Sequence, residues 1–166
     1  MKKREAAEQQ DRHIPPFLIS SIATGCNLHC KGCYARANGI CGSGEERELS
    51  AEEWQKIFEE AAGLGVSFNL LAGGEPLMRR DVLEAAARAR EMVFPVFTNG
   101  LLIDEDTADF FDKNRHIIPV ISIEGNRAQT DARRGDGTYS AIQEIMERLR
   151  RRGVLFGVSI TVTTGN

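Results

Sequence analysis

No stretch of this 166-residue sequence comes near the roughly 18 consecutive apolar residues of a membrane-spanning helix, so no membrane partner is expected. Residues 1–13 are charged and lack the apolar segment of a secretory signal, which points to the cytoplasm. An excess of one charge sign is also missing. Lys and Arg number 21 against 24 Asp and Glu, which argues against a nucleic-acid or membrane-surface protein held by bulk charge. Cysteines are few. The four present, in a compartment that keeps thiols reduced, are read as metal ligands or reactive thiols and not as disulfides. Linkers, low-complexity tracts and close internal repeats are absent too, and the length suits one domain, here 15–166 behind a polar tail at 1–14. With 42% hydrophobic and 27% charged residues, the composition is that of a folded globular chain.

Short apolar runs alternate with amphipathic ones. Strands are predicted over Phe17–Thr24, Val66–Leu71, Val93–Thr98, Ile117–Ile123 and Val154–Thr163. Between them fall four predicted helices. The first opens at Ser50 with Glu53 three residues on, a capping box, and stops at Gly63 or Gly65. The second covers Asp81–Met92 and the third Asp104–Lys113. The fourth is capped by Thr138 or Ser140 and runs to Arg152, with Ile142, Ile145, Met146 and Leu149 as its apolar stripe. The order βαβαβαβαβ requires parallel strands with right-handed crossovers. In such folds function gathers at the C-terminal strand ends, so the loops rich in Cys, Gly, Asn and Glu should share one face.

The first of those loops, TGCNLHCKGCYA, carries Cys26, Cys30 and Cys33 as C-x3-C-x2-C. Three thiolates this close can serve one metal centre. Zinc is one occupant, with Cys41 or His29 as a fourth ligand, although structural zinc sites usually pair two C-x2-C units. An iron–sulfur cube is the other; three ligands leave one iron open, and an open metal position signals chemistry.

This loop, followed by Gly73-Gly74-Glu75-Pro76, Thr98-Asn99-Gly100, Ser122-Ile123-Glu124-Gly125 and DARRGDGTY at 131–139, resembles the radical S-adenosylmethionine superfamily from Phe17 onward. The last segment is most similar to the sulfatase-maturating and peptide-modifying (SPASM-type) subgroup. The resemblance implies an incomplete, partial TIM-type parallel β/α barrel that stops before the family's last helix and strand. It implies a [4Fe-4S] cluster on Cys26, Cys30 and Cys33, with S-adenosylmethionine chelating the open iron and cleaved reductively to a 5′-deoxyadenosyl radical for hydrogen abstraction. Gly73 and Gly74 would let the backbone approach the methionine end, and Glu75 would accept from its ammonium. Ser122 and Glu124 would reach the ribose, and Arg134, or its neighbour Arg133, would meet the carboxylate. The backbone of Gly32 would meet the adenine edge.

Two positions depart from the family. Gly32 stands where an aromatic is usual, leaving Tyr34 as the nearest ring, and Glu124 stands where an Asp is commoner. Cys41 reads as a spare thiol, as a thiol beside the substrate or as a ligand of a second cluster, and His29 as a solvated neighbour of the ligands. The implied partners are a reductant such as flavodoxin or ferredoxin, a peptide or protein substrate, and a second copy or subunit completing the barrel. Other readings are a non-catalytic cluster-binding fragment, a subunit of a split enzyme, or a zinc-binding interaction module.

Overall fold

A computed structural model describes residues 9, 11, 13–41 and 47–162. Five parallel strands lie in sequence order in one sheet: β1 (Phe17–Ala23), β2 (Phe68–Gly73), β3 (Phe94–Thr98), β4 (Ile117–Ser122) and β5 (Gly157–Ser159). This is the expected partial barrel. The helices are α1 (Tyr34–Ala37), α2 (Ala51–Leu64), α3 (Arg80–Arg88), α4 (Glu105–Lys113), α5 (Arg127–Arg134) and α6 (Thr138–Arg151). The four expected crossovers are α2, α3, α4 and α6. The short α1 and α5 are additions, both beside the strand ends where the motifs lie.

Local sequence sets these elements. Ser50 and Glu53 form the capping box of α2, and Gly65, at φ 96°, ends it in the left-handed conformation. Asp104 caps α4 by accepting from the Thr107 N–H. The start of α6 differs from expectation. Gly137, at φ 81°, is the N-cap, and neither Thr138 nor Ser140 caps the helix. α5 is not among the expected helices, because its capping box uses Asn126 and Gln129 ahead of a segment almost without apolar residues, which leaves no stripe to read.

Three elements depart from expectation by more than one residue. The second strand starts later than Val66 and runs to Gly73. The second helix stops at Arg88, because Ala89 and Met92 close tighter turns onto Ala86 and Ala89 and send Met92 into the core. The last strand pairs over only three residues. Glu124 and Gly125 turn away beyond Ser122, so residues 160–162 have no ladder neighbour on that side, and Thr163 lies outside the described residues.

The core lies between the outer sheet face and the helices. Trp54 and Phe58 of α2 stack at 5.7 Å, and Phe58 meets Phe94 edge-on at 5.0 Å. Ile142, Ile145 and Leu149 bury the predicted stripe of α6, with Met146 at its margin. The inner face carries Ile19, Leu70 and Phe97 toward a cleft at the C-terminal strand ends.

Candidate functional site

That cleft holds about 320 Å³, the size of a small-molecule site, and every strand contributes to it. Cys26, Cys30 and Cys33 stand on its wall, each half-buried and without a disulfide. The cysteine loop is tied down from two sides: the Lys31 N–H donates to the Arg133 carbonyl at 2.8 Å, and Asn99 Nδ2 donates to Asn27 Oδ1 at 2.7 Å. Burial pushes the Cys26 and Cys30 thiols up, and Arg134 opposes the rise at Cys30. Metal binding must therefore displace protons from them. Among the described residues no three His, Cys, Asp or Glu side chains draw together tightly enough to hold a single ion.

Glu75 is 1% exposed at the cleft floor. It accepts from the Leu77 N–H at 3.0 Å, the Thr98 hydroxyl at 2.7 Å and the Asn99 N–H at 2.8 Å. Thr98 and Asn99 thus orient Glu75 and the cysteine loop, roles that their Thr-Asn-Gly sequence announced as a turn without assigning. Burial raises the Glu75 carboxyl above its usual 4.5, with the three hydrogen bonds and Arg134 pulling it partly back. A carboxyl raised by folding binds more protons folded than unfolded. Its contribution is therefore most favourable below its unfolded value and is lost as pH rises through the raised one. In urea titrations of the metal-free protein, the stability of the wild type relative to Glu75→Gln should fall as pH goes from about 4 to about 7. A flat difference would mean an unshifted carboxyl.

Gly73 and Gly74 line the cleft, and the structure shows why neither carries a side chain. A Cβ on Gly74 would lie 2.0 Å from the Gly25 carbonyl oxygen, and one on Gly73, at φ 126°, 2.4 Å from that of Ala23. The two strand ends touch there: the Gly74 N–H donates to Ala23 and the Glu75 N–H to Gly25. Gly74→Ala should cost about 1–3 kcal/mol, because only backbone can yield. Iron uptake should fall with it, since Gly25 leads into Cys26. Unchanged urea midpoints would contradict this contact.

Arg134 lines the cleft beside Cys30, its Nη1 at 4.0 Å from the sulfur. Its Nη2 donates to Glu124 at 2.5 Å, and Arg133 Nε lies 3.3 Å from the same oxygen, out of line for a hydrogen bond. The Thr161 N–H reaches the other Glu124 oxygen at 3.3 Å. Glu124, 2% exposed, is thus engaged with the arginines and is not on the cleft wall. The Nε atoms of both arginines are buried without a hydrogen bond among the described residues, that of Arg133 being held only by its ion pair with Glu124.

Ser122 is on the wall at the end of β4, joined by Ser159 and Thr161, whose alternation in the last strand was their only signal. Tyr34, 57% exposed, stands at the rim as the available ring. Gly32 lies off the wall at φ 65° with open space around it, a left-handed turn that favours glycine over an aromatic. Cys41 is buried and points at the back of Gly74, whose Cβ would sit 3.3 Å from its sulfur. His29 is exposed and off the wall.

A family model described as the radical SAM superfamily matches residues 20–166. The chain belongs to that superfamily. Among curated relatives, Fe-coproporphyrin III synthase of Methanosarcina barkeri is 34% identical over 91% of this chain and 38% of its own length. Pre-heme d1 synthase of Dinoroseobacter shibae is 33% identical over 91% and 37%. PqqA peptide cyclase of Granulibacter bethesdensis is 39% identical over 55% and 24%. The chain therefore spans less than half the length of the curated relatives it matches. Streptococcus suis SuiB, solved with S-adenosylmethionine, superposes with a TM-score of 0.80 over 98% of this chain and 38% of its own, at 20% identity, which shows a shared fold.

Radical SAM enzymes bind a [4Fe-4S] cluster and S-adenosylmethionine, and the residues present fit both. Three free thiols on one wall are soft donors suited to iron–sulfur ligation. The two guanidiniums near them, that of Arg134 with a buried Nε that makes no hydrogen bond among the described residues, suit a carboxylate.

Proposed function

We propose that Cys26, Cys30 and Cys33 hold a [4Fe-4S] cluster and that the adjoining cleft binds S-adenosylmethionine. The observation that carries this reading is that three thiols, Glu75 and Arg134 wall one cleft of cofactor size. The bound pair would supply a 5′-deoxyadenosyl radical that abstracts hydrogen from a substrate. The protein's own part is placement. Glu75, fixed by Thr98 and Asn99, presents a carboxylate to the ammonium; Arg134, with Arg133 beside it, meets the carboxylate. Ser122 faces the ribose, while the Gly32 backbone and the Tyr34 ring serve the adenine. Glu124 belongs with the arginines in this reading. Ile19, Leu70 and Phe97 keep the inner wall apolar and help exclude water.

Anaerobic reconstitution followed by iron, sulfide and zinc analysis tests the reading. Iron with matching sulfide supports it, and a colourless zinc protein refutes it in favour of an interaction module. A loaded protein that does not bind S-adenosylmethionine would be a non-catalytic cluster carrier.

A peptide substrate is proposed from the likeness to PqqA peptide cyclase and to SuiB, solved with its precursor peptide. A second reading, a precursor of an iron porphyrin, rests on the Fe-coproporphyrin III synthase relative, which matches more of the chain. Hydrogen transfer from deuterated peptide or from a deuterated porphyrin precursor into 5′-deoxyadenosine separates the two. A flavodoxin or ferredoxin would supply the electron. No helix among the described residues is long and apolar enough to cross a membrane, and a cytoplasmic setting is proposed.

A further inference from the structure

Arg79 lies outside the cleft and has no part in the reading above. It follows the 3-10 turn Pro76–Met78 and stands at the N-cap of α3. A guanidinium has five N–H groups, and here each has an acceptor. Nε donates to Asp81 Oδ1 at 3.0 Å; Nη1 to the Ile22 carbonyl at 3.1 Å and Glu48 Oε2 at 3.0 Å; Nη2 to the Leu49 carbonyl at 2.9 Å and Asp81 Oδ2 at 2.9 Å. The side chain is only 14% exposed. Arg79 is therefore a fixed fork and not a surface cation seeking a counter-ion.

Asp81 holds the fork from α3, and the other three acceptors lie at the ends of the cysteine loop. Ile22 is near the end of β1, where the cysteine loop begins, and Leu49 directly precedes the Ser50 cap of α2, where the loop ends. Glu48 completes the circuit. Its Oε1 accepts both the N–H and the hydroxyl of Thr24, each at 2.7 Å, and Thr24 is two residues before Cys26. From Thr24 the path continues to Gly25, whose carbonyl accepts the Glu75 N–H at 2.8 Å. We propose that Arg79 and Glu48 are positioning residues that clamp the two ends of the cysteine loop together and so hold Cys26, Cys30 and Cys33 in register with Glu75. Neither touches a thiol. They act by removing loop freedom that a bound group would otherwise have to restrain.

The clamp itself is read from the apo chain; only its consequence for a cluster rests on the function proposed above. The test compares wild type with Arg79→Lys, which loses the fork, and Glu48→Gln, which leaves the four other Arg79 hydrogen bonds in place. Arg148→Lys is the matched control: Arg148 likewise bonds a carboxylate and a carbonyl, Glu105 and Ile103, but far from the loop. Amide hydrogen exchange of the reduced, metal-free proteins should accelerate on the order of tenfold over residues 24–35 in both clamp variants. It should not change there in Arg148→Lys, whose contacts join α6 to α4, nor over α4 and α6 in either clamp variant. In reconstituted protein, iron release to a chelator should quicken by roughly 10–100-fold in the clamp variants, the usual effect of losing a residue that orients a ligand loop. Unchanged exchange over 24–35, or acceleration spread equally over α4 and α6, overturns the clamp. If Arg79→Lys does not fold, Glu48→Gln decides. If wild type takes up no iron, the cluster reading fails while the exchange result still stands for or against the clamp.

Discussion

Cys26→Ala, Cys30→Ala and Cys33→Ala should each reduce the iron and sulfide of the reconstituted protein to background, whereas Cys41→Ala should leave both unchanged. The three share one cleft wall, and among the described residues only weak contacts from Leu28 and Arg134 reach their sulfurs. Removing one leaves two thiols, too few to retain a cube whose fourth iron already lacks a protein ligand. Cys41 is enclosed behind Gly74, where its sulfur fills space between the two loops. Its loss is a small packing change of about 1 kcal/mol or less. Equal loss of iron from all four variants would instead make Cys41 a fourth ligand.

The second large effect is expected at the arginine pair. Arg134→Met leaves Glu124 buried with its closest counter-charge gone, a change that usually costs about 3–5 kcal/mol. Arg133 and the Thr161 N–H remain within 3.3 Å, which places the expected loss at the lower end of that range. Arg134→Met combined with Glu124→Gln should recover most of it, because the stranded charge is then absent. Urea denaturation of the two single variants and the double gives the coupling directly. A single-variant cost within about 0.5 kcal/mol would show a solvated pair. In the loaded protein Arg134→Met should also weaken S-adenosylmethionine binding, a readout separate from stability.

Much of this was legible because patterned burial and punctuation agree. The capping box at Ser50 and Glu53, the stripe of α6 and the alternation of apolar runs with amphipathic ones gave the sheet and its crossovers. Legibility failed where tertiary contact decides. The glycine at position 32 reads as a missing aromatic in sequence but as a left-handed turn in space. Gly73 and Gly74 suggested room for a ligand, whereas the backbone atoms a Cβ would strike belong to Ala23, at the end of β1, and to Gly25 just beyond it. Glu124 lies two residues beyond Ser122, which suggested a shared ribose role, yet the strand ends between them and its side chain turns to the arginines. Arg79 could not be singled out at all, since three of its five hydrogen bonds join it to the strand end, the loop end and Glu48, brought near only by folding, and the other two depend on the side-chain direction of Asp81.

The measurement that tests the central claim most directly is chromatographic detection of 5′-deoxyadenosine after the reconstituted chain is reduced with dithionite in the presence of S-adenosylmethionine. Wild type should form it slowly and Cys30→Ala should form none above a protein-free control. Equal product from both, or no product from a wild type fully loaded with iron and sulfide, would contradict the account.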